Sequence, residues 1–176
     1  MTSWTLQCFS SIFNNSTSLD GDNIILPTSI LTDITSNDDI IPPYIFNITH
    51  DKTSQCVTCV AIEFTNDTDI VYVPNWIMQN LFPLNDGDSV IIRLDTNITN
   101  NKCGLLKIQP HDSIFITLDD HRSLMEAALV NFNTLTSGTT ISIKHADLEF
   151  NIDIVSMEDL SGNTVTNGYI IDTDVE

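Results

Sequence analysis

Positive charge is what this chain has least of. Six Lys and Arg stand against 24 Asp and Glu, a formal net charge of −18 over 176 residues. A surface of that sign repels nucleic-acid phosphates and anionic membrane faces, and no basic cluster offsets it, so neither is an expected partner. The acidity fits soluble partners with positive faces, or serves only as a solvated, aggregation-resistant surface. Long apolar runs are missing too: none approaches the roughly 18–20 residues of a membrane span. The opening residues, Met1 to Cys8, carry no basic segment of the secretory kind, and the expectation is a soluble cytoplasmic or nuclear protein. Glycine-rich phosphate loops of the Walker or Rossmann type are absent.

Cysteine is scarce and unpatterned. Cys8, Cys56, Cys59 and Cys103 have no framework spacing. Cys56-Val-Thr-Cys59 is a CxxC, but a closed zinc site needs four ligands and no second CxxC or HxxxH accompanies it. The pair also falls in a β-like run, where residues three apart point to opposite faces. Ordinary strand cysteines are expected, with no metal and no cofactor. Five sequons, at Asn14, Asn15, Asn47, Asn66 and Asn97, carry no weight in a chain so rich in Asn, Ser and Thr.

What is present is apolar matter in short pieces. At 41% hydrophobic residues the chain can build a core, as one medium domain or two small ones. Residues 8–13, 24–26, 44–48, 56–64, 70–73, 90–94 and 105–108 are rich in Val, Ile, Phe and Tyr and read as strands. Turn chemistry separates them at Asn14-Asn15-Ser16, Asp20-Gly21-Asp22, Asn66 to Asp69 and Asn85 to Asp88. Asn66 to Asp69 reads as a hairpin between two apolar strands. Two proline-led helices interrupt the strands, over 27–34 and 74–81, with Ile30 and Ile34, and Ile77 and Leu81, four apart. So many strands must close on themselves or leave long unpaired edges, which predicts a barrel over residues 1–110.

The character changes after Pro110. Residues 114–118 read as a strand. Asp119 or Asp120 then caps the longest helix, on which Leu124, Ala128, Phe132 and Leu135 share a face before Ser137-Gly138 ends it. Ile141 to Ile143, a turn at His145-Ala146-Asp147, an alternating strand (Leu148, Phe150, Ile152 and Ile154 on one face) and a last strand near 169–171 follow. Residues 114–176 are therefore predicted as an α+β subdomain, one helix on an antiparallel sheet.

Several segments lie in the order of one known family. They are Cys8-Phe9-Ser10, Gly21 to Pro27, Cys59 to Phe64, Lys107 to Pro110, Glu126 to Phe132 and, most specific, Tyr72-Val73-Pro74-Asn75-Trp76-Ile77-Met78-Gln79-Asn80-Leu81 with Gly87-Asp88. With them the chain resembles the N-terminal domain of the ubiquitin fusion degradation protein family. The resemblance implies a double-psi β-barrel followed by a small α/β subdomain. It also implies a non-catalytic adaptor that binds ubiquitin and polyubiquitin and presents ubiquitylated substrates to an AAA-type unfoldase, valosin-containing protein, for proteasomal and ER-associated degradation. Docking onto the unfoldase and onto a zinc-containing co-adaptor is implied for a tail beyond Glu176. The expectation is either an isolated N-domain or a short relative.

The signature residues Tyr72, Pro74, Trp76, Met78, Gln79, Asn80, Leu81, Gly87 and Asp88 read as structural. Trp76 and Met78 are placed as a plug over the barrel mouth, the other reading being an exposed anchor for ubiquitin's apolar patch. Gly87 supplies a positive φ and Asp88 a turn acceptor. The residues that contact ubiquitin are not separable from core residues in the sequence. Aspartic proteases share the double-psi barrel but carry Asp-Thr-Gly or Asp-Ser-Gly turns, and neither tripeptide occurs here, nor the Gly-Ser site of pyruvoyl barrels. His50, His111, His121 and His145 are scattered. Besides the adaptor reading stands a barrel that docks on an unfoldase or sorting complex without touching ubiquitin.

Overall fold

The computed structural model describes residues 3–14, 19–36, 40–118, 120–145, 148–171 and 175. The chain divides into two compact units, Met1–Thr96 and Asn97–Glu176.

The first unit is a closed barrel. Its strands are β1 (Ser3–Ser10), β2 (Asn23–Pro27), β3 (Ile45–His50), β4 (Cys56–Thr65), β5 (Ile70–Val73) and β6 (Ser89–Leu94), closed in the order β1-β5-β2-β4-β3-β6. The wall is mixed. β1 runs parallel to β5 and β2 parallel to β4, while β1–β6, β3–β4, β3–β6 and β2–β5 are antiparallel. Alternation turns one face of each strand inward: Leu6, Cys8 and Ser10 of β1 are buried, and Thr5 and Gln7 are exposed. Ile24, Ile25, Leu26, Phe46, Ile48 and Ile92 are fully buried.

Two helices follow prolines. Pro27 and Pro74, with φ of −63° and −60°, stand immediately before α1 (Thr28–Thr35) and α2 (Asn75–Asn80). There their missing N–H costs nothing, since the first helical turn has no carbonyl to bond. Ile30 and Ile34 bury the inner face of α1.

The predicted hairpin at Asn66 to Asp69 is overturned by this topology. The turn exists, with Asp69 at φ +62°. However, β2 lies between the strands it joins, parallel to β4 and antiparallel to β5. Turn chemistry sets a local bend; it carries no information about which distant strand fills the gap.

The second unit is built on β10 (Leu148–Asp159), which pairs with β7 (Cys103–Pro110) on one edge. On its other edge lie β9 (Thr140–His145) and then β11 (Thr164–Val165). A second ladder joins β8 (Thr134–Thr136) to β12 (Asn167–Tyr169), and α3 (Ser113–Ile116) and α4 (His121–Leu129) complete the unit. The predicted strand at 105–108 thus belongs to this sheet and not to the barrel segment 1–110 in which the sequence reading placed it.

Other expectations change as well. The predicted strand at 114–118 is a single helical turn, because Asp112 Oδ1 accepts the Ile114 N–H at 2.8 Å and caps it. The long helix stops at Leu129. Asp120 caps it through Ser123 N at 3.0 Å, while Asp119 lies outside the described residues. Phe132 and Leu135 are buried off that helix, with Leu135 on β8 paired to Gly168. Gly138, at φ +81°, turns β8 into β9 and ends no helix. The opening strand is also shifted, since Ser11–Phe13 is a 3-10 turn. The turns at Asn15-Ser16 and Ala146-Asp147 lie outside the described residues.

β10 departs from simple alternation once. Phe150, Ile152 and Ile154 are buried, then Met157, with the register against β7 shifting between Ile154 and Ser156. Val155, 44% exposed, is the extra residue of a β-bulge, and it resets the phase so that Met157 also faces inward. Among the described residues no helix is long and apolar enough to cross a membrane.

Candidate functional site

The signature block is a clasp of the barrel. Val73 and Ile77 are fully buried, and Trp76 and Met78 are 8% and 7% exposed. Trp76 Nε1 donates to the Gly21 carbonyl at 2.8 Å, tying α2 to a turn 55 residues earlier. Gly21 holds φ +62°, which a side chain would resist. Asn80 Nδ2 returns to the Trp76 carbonyl at 2.7 Å, and the Leu81 N–H closes the helix on Ile77 O. Pro74 and Leu81 are buried, while Gln79 is exposed.

The Asn85 to Asp88 turn grips β1. Gly87, at φ +89°, donates its N–H to Cys8 O at 2.8 Å, and Cys8 N–H donates to Asp88 O at 2.9 Å. Asp86 Oδ1 accepts the Ser10 N–H at 2.7 Å. Asp88 Oδ2 accepts the Asn85 N–H at 2.9 Å, and these bonds hold its carboxyl below the ordinary 3.8. Hydrogen bonds likewise lower Asp120, through Ser123, Asp153, through Thr140 and then His111, and Asp159, through Asn163. A carboxyl depressed in the folded state stabilises above its unfolded pKa, and that stability is lost as pH falls through the folded value. The melting temperature is therefore expected to fall as pH drops below about 4, with Asp88→Ala flattening part of that limb. A melting temperature unchanged between pH 4 and pH 2 contradicts this.

An apolar patch lies on the outside of the same wall. Phe9 and Tyr72 are register partners on β1 and β5, with ring centroids 6.5 Å apart. Phe13 stands edge-on to Phe9 at 6.1 Å. Phe13 and its neighbour Ile12 are 60% and 78% exposed. Acids lie about it: Tyr72 Oη donates to Asp67 Oδ2 at 3.1 Å, and the Asp86-Gly87 turn packs by Phe9. Large side chains gathered in the open mark a contact surface more often than single ones do. The sequence reading did not single out Ile12 or Phe13. Their adjacency was the available signal, because two consecutive large apolar residues closing an alternating strand cannot both turn inward.

Two family models cover nearly the whole chain: Ubiquitin fusion degradation protein UFD1, N-terminal subdomain 1, over residues 2–98, and N-terminal subdomain 2, over residues 102–176. The chain belongs to this family. Among its relatives is the human ubiquitin recognition factor in ER-associated degradation protein 1, 30% identical over 135 residues, covering 77% of this chain and 42% of that protein. The Dictyostelium discoideum ubiquitin fusion degradation protein 1 homolog is 32% identical over 138 residues, covering 78% and 40%. The Schizosaccharomyces pombe ubiquitin fusion degradation protein 1 is 28% identical over 155 residues, covering 88% and 43%. The chain spans about two fifths of the length of these curated relatives.

Chemistry-bearing residues in this member of the family hold its architecture. Cys59 faces the barrel core, its Sγ 3.4 Å from Phe46 O, while Cys56 is half-exposed on the other face of β4. His50 is buried with Nδ1 3.1 Å from Thr53 Oγ1. His111 Nε2 lies 2.7 Å from Asp153 Oδ1, and His121 Nε2 donates to Ile116 O at 2.8 Å. Among the described residues no three His, Cys, Asp or Glu are placed to hold a metal.

Burial first, then Asp86 and Asp88, push the Cys8 thiol up to about 12. Burial also raises Cys59 strongly, and Cys56 and Cys103 by less. The thiolate is the reactive form, so Cys8 exposes on the order of one reactive molecule in ten thousand at pH 8. Under native conditions an aromatic disulfide reagent at pH 8 is expected to titrate Cys56 first, and the other three only on unfolding. Native labelling of Cys8 ahead of Cys56 refutes this.

Proposed function

We propose that the chain is a non-catalytic adaptor domain that binds ubiquitin and polyubiquitin and recruits ubiquitylated substrates to an AAA-type unfoldase in the cytoplasm or nucleus. The match to both N-terminal subdomain models, in order and over nearly every residue, carries this reading. The names of the relatives, ubiquitin fusion degradation and ubiquitin recognition in ER-associated degradation, agree with it. The parallel pairs β1–β5 and β2–β4 inside a closed barrel favour the double-psi form of the wall. Contacts to the unfoldase and to a zinc-containing co-adaptor are assigned to a region beyond this one.

The patch of Phe9, Ile12, Phe13 and Tyr72 is the surface we assign to ubiquitin. It offers aromatic and aliphatic area for an apolar patch, and its acids suit a partner with positive charge around that patch. One module of this size binds weakly, and chains of ubiquitin gain by avidity. Isotope-labelled ubiquitin titrated with the protein is expected to show saturable chemical-shift changes. Ile12→Ser with Phe13→Ser should weaken binding about tenfold without altering the far-ultraviolet circular dichroism. Silent spectra at millimolar ubiquitin, with the protein retained on unfoldase beads, favour instead a barrel that docks without touching ubiquitin.

A further inference from the structure

The apolar turn that closes β1 is rooted by a side chain from the other end of the barrel sequence. β6 pairs with β1 as far as Gln7, opposite Ser89. Beyond that point the Asn85 to Asp88 turn carries the ladder on, with the Cys8 N–H donating to Asp88 O and Cys8 O accepting the Gly87 N–H. Two residues further along, the Ser10 N–H points to the same side of the strand. There the turn offers a carboxylate in place of a carbonyl. Asp86 Oδ1 accepts that N–H at 2.7 Å, across 76 residues of sequence. An ionised acceptor makes a shorter and stronger bond than the neutral carbonyl it replaces.

Ser10 is also the last residue of β1 in register with β5, opposite Val73, and after it the chain leaves the wall as the 3-10 turn Ser11–Phe13. Within that turn the Asn14 N–H closes on Ser11 O at 3.0 Å, and the Ser10 hydroxyl caps the Ile12 N–H at a long 3.4 Å. None of its three residues is buried, Ile12 and Phe13 least of all. A single 3-10 turn has no length over which to become cooperative, so its direction is set where it is rooted. We infer that Asp86 is a positioning residue whose carboxylate latches that root and presents Ile12 and Phe13 as one surface with Phe9 and Tyr72, a role that rests on the assignment of this patch to ubiquitin. A latched turn has little order left to lose on binding, whereas a loose one binds only for the fraction of time it is in place. Asp86 thus acts through the Ser10 backbone, and its charge is not what the partner reads.

Substitutions of Asp86 in the full chain separate latch from charge. Asp86→Ala removes both the acceptor and the charge, Asp86→Asn removes the charge and keeps an oxygen acceptor, and Asp86→Glu keeps the charge and displaces the acceptor. Titration of labelled ubiquitin well below the melting temperature gives the affinity of the folded protein, which a mere loss of stability does not move. The heteronuclear 15N NOE of residues 11–14, measured on the protein alone, gives the order of the turn. Asp86→Ala is expected to weaken ubiquitin about fivefold and to lower the NOE of residues 11–14, while Met78 and Ile92 keep theirs. Asp86→Asn should stay within about twofold in affinity, with a turn as rigid as in the unsubstituted chain. Any of three results overturns the latch: full affinity in Asp86→Ala, an equally rigid turn in Asp86→Ala, or Asp86→Asn as weak as Asp86→Ala. If Asp86→Ala fails to fold, Asp86→Glu takes its place, and an unchanged affinity and NOE there overturn the latch. Failure of the ubiquitin reading shows separately, as silent ubiquitin spectra with the unsubstituted chain or full binding by Ile12→Ser with Phe13→Ser. The NOE comparison then supports or overturns the latch by itself.

Discussion

Trp76→Ala is expected to remove about 3–5 kcal/mol of stability from the barrel unit. Two losses add in this substitution. A nearly buried indole leaves a hole lined by side chains that relax only in part, and the Gly21 carbonyl loses the donor that reaches it at 2.8 Å. Trp76→Phe separates the two. It keeps most of the ring and deletes the N–H, so about 1–2 kcal/mol is the expected cost, the lower part of the range for an unmade hydrogen bond. Against a usual total of about 5–15 kcal/mol, the alanine variant should be substantially unfolded at modest urea, and the phenylalanine variant should not. Urea titrations followed by far-ultraviolet circular dichroism measure both. A cost below about 1 kcal/mol for Trp76→Ala means the residue is no part of the core, and returns it to the role of an exposed anchor.

Deleting Val155 outright should leave the second unit folded. The side chain is 44% exposed, so Val155→Ala is expected to change stability by no more than about 0.5 kcal/mol. Phe150, Ile152 and Ile154 reach the core on one phase, and Met157, three residues further on, joins them because Val155 is bulged out. Without that residue Ile154 and Met157 stand two apart, so plain alternation keeps both inward, with Ser156 still opposite Lys107 and Met157 opposite Leu106. The ladders that β10 shares with β7, β9 and β11 therefore keep their register on either side of the deletion. Cooperative unfolding and native amide dispersion of the second unit are the expected result. Collapse of that dispersion shows instead that the unit needs the bend of the bulge itself.

The contrast between these two sites shows what was legible in the residues. Trp76 sits behind a proline and beside Ile77 and Leu81, and a buried, proline-led helix follows from local spacing. The Asp86-Gly87 turn was equally open, because positive φ is a property of one residue and its type. Closure into a barrel was deducible from the number of short strands, but their order was not, since the insertion of β2 between β4 and β5 is a contact between distant segments. Helical spacing through Phe132 and Leu135 was a coincidence of phase. Asn131, Asn133 and Thr134 favour leaving a helix, and Leu135 is buried by a strand partner 33 residues away. The outer patch was hidden for a related reason: Phe9 and Phe13 look like core residues until the inward phase of β1 is fixed by Leu6, Cys8 and Ser10.

Closure of the wall has a consequence for how this unit meets unfolded chains. Every barrel strand described has a partner on both sides, so no row of backbone donors and acceptors is open along that wall to an extended segment. A polypeptide brought near it cannot be templated into a growing ribbon there, nor borrow one of these strands as an edge on which to begin an aggregate. Whatever touches this wall meets side chains alone.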